Sequence, residues 1–462
     1  MDALNDALEK MRANGVADVA VKTFAYYYER LRGGDAGTLA ESEIEPIDEL
    51  PDADELPEDE EGARDALTRA VVIKLNGGLG TSMGMTGPKS LLEVKDGLTF
   101  LDITVRQIRA LRERTGARLP LVLMNSFATR DASLAALEPY DDLAVDGVPA
   151  DFLQSKVPKL AAGDLAPARW PDDPSLEWAP PGHGDLYPSL LSSGLLDALL
   201  DGGYRYAFVA NVDNLGAVLE PRILAWFARE QIPFLMEVAD RTAADRKGGH
   251  LARRPDGGLV LREIAQTPKE DAGAFQDTTR HRFFNTNTLW IDLHALAGVL
   301  AERDGVLGLP MIVNRKTVDP GAAGSPPVIQ LETAMGAAID VFDGARAVRV
   351  GRERFAPVKT TDDLLALRSD VYQLTPDGRI VLAEARAHGG APLVALDTRF
   401  FKLVRDFDAR FAAGPPSLVQ AQGLTVRGDV AFGADVVVRG EVTVEHAGDG
   451  QRRIGDGTVL EG

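Results

Sequence analysis

The chain has 462 residues, and its 50 Lys and Arg against 70 Asp and Glu give a formal net charge of −20. At 45% apolar and 26% charged residues it reads as globular, with room for roughly two or three domains. So acidic a chain is a poor general binder of nucleic acid or anionic membrane, though a locally basic nucleotide pocket is compatible. The absence of cysteine excludes disulfides, thiolate nucleophiles and Cys-ligated metals.

The first residues, "MDALNDALEKMRANG", lack an apolar signal core, and no apolar run approaches the ~18 residues of a membrane span. The expectation is a soluble, cytoplasmic protein. Leu4, Leu8, Met11 and then Val21, Phe24, Tyr28 and Leu31 recur at helical spacing, predicting two short helices within residues 1–32. Residues 41–61 hold twelve carboxylates and three prolines, which predicts an extended, solvated acidic linker closing an N-terminal segment of residues 1–68.

From residue 69 to 371 strand-like and helix-like segments alternate. Val71–Leu75, Leu119–Met124, Tyr204–Ala210, Pro233–Val238 and Thr288–Leu293 read as strands, with helical patterns such as Phe100–Thr115 and Ser189–Leu200 between them. That alternation predicts an α/β domain with a doubly wound, mainly parallel sheet, whose ligands bind at the carboxyl ends of the strands. In the tail, residues 372–462, Leu418, Leu424, Val430, Val436 and Val442 fall six apart, and Ile454 and Leu460 rejoin the phase. A period of six fits no helix. It predicts a β-helix over a set of antiparallel hairpins, and its uncovered ends make homo-oligomers an expectation to test.

The first strand runs into "KLNGGLGTSMGMTGPKS". Gly78 and Gly80 are followed by a spacing one residue too long for the dinucleotide fingerprint, and Pro88 separates Gly87 from Lys89, which breaks a Walker A loop. Neither a dehydrogenase nor a P-loop ATPase is favoured. Gly77, Gly78 and Gly80 still let backbone N–H groups surround an anion, and Lys89 adds a charge. Read alone, the loop is a phosphate site or a structural glycine turn.

The loop "LNGGLGTSMGMTGPKSL" resembles the nucleotide-binding loop of eukaryotic-type UTP–glucose-1-phosphate uridylyltransferases. Eight further stretches follow in that family's order. They are "LMNSFAT", "PPGHGDLY", "ANVDNLGA", "KGGHL", "LREIAQ", "FNTNTLWI", "VIQLETAMGAAI" and "RERFAPVKTTDDLL", and the tail stretch "LTVRGDVAFG" is similar too. The chain departs from the family's pattern at Ala210, where a Ser is usual, at Thr288, where an Asn is usual, and in the loop at Met85 and Thr86, where Cys or Leu with Lys is common.

The resemblance implies a Rossmann-like nucleotidyltransferase fold with a left-handed-type β-helix at the C-terminus. It implies the reaction UTP + glucose 1-phosphate ⇌ UDP-glucose + pyrophosphate, assisted by Mg²⁺. Lys359 then matches the family's catalytic lysine, and Lys89 would assist on the UTP phosphates. Leu75, Asn76, Gly77, Gly78, Gln154, Gly182, Asn211 and Asp213 would complete the UTP site, with Gln154 and Gly182 reading uracil. Asp213 would be the Mg²⁺ ligand. His183 would hold the sugar phosphate; Gly249, Glu263, Asn285 and Asn287 would hold the sugar, with Lys247 on a closing flap. The rivals are a UTP-dependent pyrophosphorylase for another sugar 1-phosphate, or a non-catalytic UTP-binding scaffold. The second predicts loss of Lys359 or Asp213, and both are present.

Overall fold

The structure, a computed structural model, describes residues 2–242, 245–322, 324–386 and 390–462. Its centre is a nine-stranded mixed sheet. The strands Ala70–Asn76, Leu121–Asn125, Asp151–Leu153 and Tyr206–Asn211 run parallel, in register so that Leu75 meets Asn211 and Asn76 meets Asn125. Phe283–Asp292 joins the Tyr206–Asn211 strand antiparallel and leads to the edge hairpin of His250–Arg253 and Leu259–Arg262.

Alternation along the first strand explains the layering. Val71 and Ile73 face one core with Leu186, Leu196 and Leu296. Val72 faces the other with Leu101, Phe227 and Trp290. Helices therefore cover both faces, as a mainly parallel sheet requires. The expected helix over 189–200 is two helices, Leu186–Ser192 and Leu195–Asp201, because Gly194 takes φ +73 and ends the first. Helix Phe100–Thr115 forms as expected, opened by a capping box of Thr99 and Asp102.

The acidic segment departs from expectation. Its apolar residues are docked, with Ile44, Ile47, Ala53 and Leu56 buried, and two of its carboxylates pair with arginines on or beside the central sheet, Asp52 with Arg349 and Glu41 with Arg262 and Arg280, while most of the others stay exposed. Composition predicted a solvated chain because the partner cations lie 200 to 300 residues downstream, as the separations of 221, 239 and 297 residues record. The strap also continues into a helix, Glu60–Thr68.

In the tail, Leu418, Leu424, Val430, Val436, Val442 and Ile454 are all buried, and the strands Ser417–Arg427, Val437–Glu445 and Val459–Glu461 pair in parallel. Parallel pairing excludes antiparallel hairpins as the source of the six-residue period. The same apolar cluster takes in Met83 of the glycine loop and Val358, next to Lys359. No helix among the described residues is long and apolar enough to cross a membrane.

Two of the departures from the family pattern, Ala210 and Thr288, are direct cross-strand partners. The Thr288 hydroxyl is buried and without a hydrogen-bond partner among the described residues. Replacing it by an isosteric methyl removes a desolvated polar atom. Thr288→Val is expected to hold or raise the unfolding free energy by about 1 kcal/mol in urea titration, and a loss of that size would show that the hydroxyl has a partner.

Candidate active site

The carboxyl ends of the parallel strands put the glycine loop, Gln154 and the Asn211–Asn214 turn side by side. A Cβ on Gly77 would stand 2.5 Å from Gln154 Oε1, so the amide lies directly on the glycine. Gly78 borders open space, and its carbonyl accepts the Lys89 N–H at 3.1 Å, closing the loop on itself. Lys89 Nζ reaches across to Asp213 Oδ2 at 2.6 Å, which ties the loop to the end of the Tyr206–Asn211 strand. Asn211 stands beside this pair at the strand end.

Two expected contributors also make bonds within the protein. Asn76 Nδ2 donates to Asn125 Oδ1 and Ser133 Oγ, both at 2.7 Å, and the residue is buried. Its side chain holds the strand ends together instead of facing a nucleotide. The Leu75 carbonyl accepts the Val212 N–H at 3.1 Å, so it is likewise occupied.

Gly182 takes φ +80 and presses on the Thr333 backbone, where a Cβ would collide; only glycine meets both demands. The turn presents His183, whose Nδ1 accepts the Met335 N–H at 2.9 Å. With Nδ1 acting as acceptor, the proton of the neutral ring sits on Nε2. Burial pushes the His183 pKa down to about 4, so the ring is a neutral Nε2–H donor at pH 7.

The sugar-side residues also converge. A Cβ on Gly249 would lie 2.5 Å from Glu263 Oε1. Desolvation raises the Glu263 pKa, while the Lys359 charge acts in the opposite direction. Asn285 N donates to Gly249 O at 3.0 Å. Asn285 and Asn287 do not alternate as on a regular strand. A bulge opposite Glu237 and Val238 sets Asn287 at φ +57, and Asn285 Nδ2 donates to Asn287 Oδ1 at 2.9 Å. Lys247 is exposed on the loop before Gly249.

Lys359 is exposed, with its Nζ 5.6 Å over the Phe355 ring and its N–H donating to Asp363 Oδ2 at 2.7 Å. What aims it lies within the quoted stretches, though sequence alone did not single it out. Asn214 Oδ1 accepts from Ala356 N at 3.0 Å, and Asn214 Nδ2 donates to Arg354 O at 3.1 Å. Arg354 is in turn held by buried Glu237 at 2.6 and 2.8 Å, which also accepts from Trp290 Nε1 at 2.9 Å. Asp185 was missed as well: its carboxylate accepts from Ser155 N at 2.6 Å and Ser189 Oγ at 2.7 Å, which fixes the loop carrying Gln154. Its position two residues after His183 is the signal available in the sequence.

For a metal, the donor set is one carboxylate, Asp213. No cluster of three His, Cys, Asp or Glu able to hold a metal occurs among the described residues. That set fits Mg²⁺, which keeps waters and binds through one or two carboxylates plus substrate phosphates, and does not fit a dedicated protein cage.

Burial pushes the Asp185 carboxyl up to about 6. Its proton leaves the unfolded chain near pH 4 but the folded chain near 6, so the stability it contributes is full below about 4 and lost as pH rises through 6. A shift of about two units corresponds to roughly 3 kcal/mol. Asp185→Asn is expected to flatten the fall in unfolding free energy between about pH 4 and 7, and an unchanged slope in urea titrations would contradict the assignment.

Comparison with known proteins shows the family. Residues 21–439 match the sequence model of a family described as UTP--glucose-1-phosphate uridylyltransferase. The chain is 43% identical to the potato (Solanum tuberosum) enzyme of that name over 92% of this chain and 86% of the relative. It is 41% identical to the barley (Hordeum vulgare) enzyme over 100% and 96%. Among solved structures, a variant UDP-glucose pyrophosphorylase from Leishmania major in complex with UDP-glucose superposes with TM-score 0.93 at 44% identity, covering 100% of this chain and 98% of that one. A Trypanosoma brucei UDP-glucose phosphorylase gives 0.91 at 47%, covering 99% and 98%. The chain belongs to the UTP–glucose-1-phosphate uridylyltransferase family.

Proposed function

We propose that this enzyme transfers the uridylyl group of UTP to glucose 1-phosphate in one in-line step, with the residues above in the roles their positions suggest. A phosphate oxygen of the sugar phosphate bonds to the UTP α-phosphorus as the bond from that phosphorus to the β-bridging oxygen breaks, and pyrophosphate leaves. The attacking phosphate has a second pKa near 6, so it is already anionic at pH 7 and needs no general base. The task is to hold two polyanions in line and stabilise the charge on the equatorial oxygens.

The observation that carries this reading is the pairing of Lys89, from the glycine loop, with Asp213 at the end of the Tyr206–Asn211 strand, beside Gln154 packed on Gly77. Gln154 over Gly77, with the Gly182 backbone, reads uracil. Backbone N–H groups at Gly77 and Gly78 and the Lys89 ammonium hold the phosphates. His183 donates Nε2–H to the sugar phosphate, while Glu263, Asn285, Asn287 and Gly249 take the sugar hydroxyls. Lys359 bridges the α-phosphate and the sugar phosphate as charge develops. Asp213, with Asn211 beside it, would hold Mg²⁺, which when bound neutralises charge on the UTP phosphates.

The same reading extends to the rest of the chain. A catalytic unit of 69–371 carries the chemistry, preceded by residues 1–68 and followed by a β-helical tail of 372–462. The buried six-residue series and parallel pairing support that tail, which offers a surface for homo-oligomers. A cytoplasmic location fits a chain without cysteine.

The direct assay supplies UTP, Mg²⁺ and a panel of sugar 1-phosphates and follows pyrophosphate release. Glucose 1-phosphate is expected to turn over fastest, and preference for N-acetylglucosamine 1-phosphate or galactose 1-phosphate would overturn the sugar assignment. Lys359→Ala is expected to lower kcat roughly 100- to 1,000-fold with small changes in KM, and near-normal kcat would remove Lys359 from the chemistry. Glu263→Gln is expected to raise KM for glucose 1-phosphate about tenfold, with KM for UTP unchanged.

A further inference from the structure

We infer that Glu41, in the acidic strap, is a positioning residue for sugar binding: it grips from behind the hairpin that presents Gly249 and Glu263. The inference rests on the sugar-pocket reading above.

The hairpin of His250–Arg253 and Leu259–Arg262 begins just after Gly249 and ends just before Glu263. Both inner flanking side chains lead to Glu41. Arg262, with no exposed side-chain surface, donates Nη1 to Glu41 Oε2 at 2.5 Å and Nη2 to Asp271 Oδ2 at 3.1 Å. The Glu41 N–H also donates to Asp271 Oδ2, at 2.7 Å. The other path runs through two imidazoles. His281 Nε2 donates to Glu41 Oε1 at 3.0 Å, and its ring stacks on His250 at 3.8 Å between centroids, 20° from parallel. Arg280 Nε closes the cluster on Glu41 Oε1 at 2.7 Å.

The geometry fixes the protonation pattern. A carboxylate accepts from His281 Nε2, so His281 Nδ1 carries the lone pair, and it is buried without a partner among the described residues. His250 directs Nδ1 to Leu251 O at 3.4 Å, leaving its Nε2 as the bare lone pair. Two neutral stacked rings transmit packing contact, and Glu41 is the nearer of the two carboxylates that balance the buried Arg262 guanidinium. Strap and hairpin are stitched along the backbone as well. Leu39 N donates to Gln266 O at 2.8 Å, and Glu45 and Arg253 exchange N–H···O bonds at 2.7 and 2.9 Å.

Without Glu41 the buried Arg262 keeps only the longer bond to Asp271, and Glu263 is its chain neighbour. Gly249 is tied the same way through His250, and its carbonyl holds Asn285. The groups assigned to UTP, Gln154, Gly77 and Gly182, lie on other strands and loops. Loss of the Glu41 charge is therefore felt on the sugar side and not on the nucleotide side. A merely structural role would instead lower thermal stability and the active fraction, with both KM values unchanged.

The test compares Glu41→Gln, and Glu41→Asp in case the first folds poorly, with Glu263→Gln in the full-length enzyme by steady-state kinetics in each substrate. Glu41→Gln is expected to raise KM for glucose 1-phosphate about tenfold, part of the roughly 100-fold that a 1 Å misplacement can cost, while KM for UTP stays within about twofold. Glu41→Asp, which keeps the charge but draws it back by one methylene, is expected to show a smaller rise in the same KM only. If both KM values hold, or both rise together, while Glu263→Gln raises the sugar KM, the role of Glu41 is overturned and the pocket stands. If Glu263→Gln leaves the sugar KM unchanged, the pocket reading falls and takes the inference with it.

Discussion

The buried pair of Glu237 and Arg354 sets the geometry of this site. Glu237 has no exposed side-chain surface, accepts two bonds from Arg354 and a third from Trp290, and sits on a strand paired on both sides, opposite Thr288. Arg354 hands that constraint on through its carbonyl to Asn214, one residue after Asp213, and lies five residues before Lys359. Removing one partner would strand a buried charge, at a cost of several kcal/mol. The pair thus fixes the separation of Asp213 and Lys359 without touching either. Lys74, buried nearby with its pKa pushed down to about 7 mainly by desolvation, donates to Ala217 O at 2.7 Å and braces the same turn.

Two other supports act at the margins of the cleft. The tail shares its apolar core with Met83 and Val358, so it backs both the glycine loop and the Lys359 segment. The acidic strap backs the sugar-side hairpin. The groups proposed to bind substrate come from loops and from the bulged strand Phe283–Asp292, with rigid elements behind them, as a reaction that depends on alignment requires.

Much of the sheet was legible in the chain. Val71–Leu75 and Tyr204–Ala210 are short apolar runs, and their period and bounding residues leave little choice. The six-residue spacing of the tail showed which side chains turn inward, because each one lost from the core would expose an aliphatic group. What stayed hidden depends on distant pairing. A carboxylate-rich segment reads as solvated unless its cations are known, and Arg262, Arg280 and Arg349 come from remote strands and loops. The bulge at Asn287 arises from register against Glu237, which no local pattern encodes. Asn76 looked like a ligand group by its place in the loop; cross-strand bonds to Asn125 and Ser133 take its side chain away.

Taken together, these contacts suit the proposed single displacement, in which the sugar phosphate is the nucleophile and the protein holds charges in place. The chain has no cysteine, and the only imidazole assigned to the cleft is His183. Its Nδ1 is occupied by the Met335 N–H and its Nε2 carries the proton, so neither nitrogen has a free lone pair to attack phosphorus. The most direct measurement is the stereochemical course at the α-phosphorus. One diastereomer of UTP carrying sulfur at that phosphorus, turned over with glucose 1-phosphate, is predicted to give product of inverted configuration. Retention would mean two displacements through a uridylyl-enzyme, and would contradict the single in-line step on which this account rests.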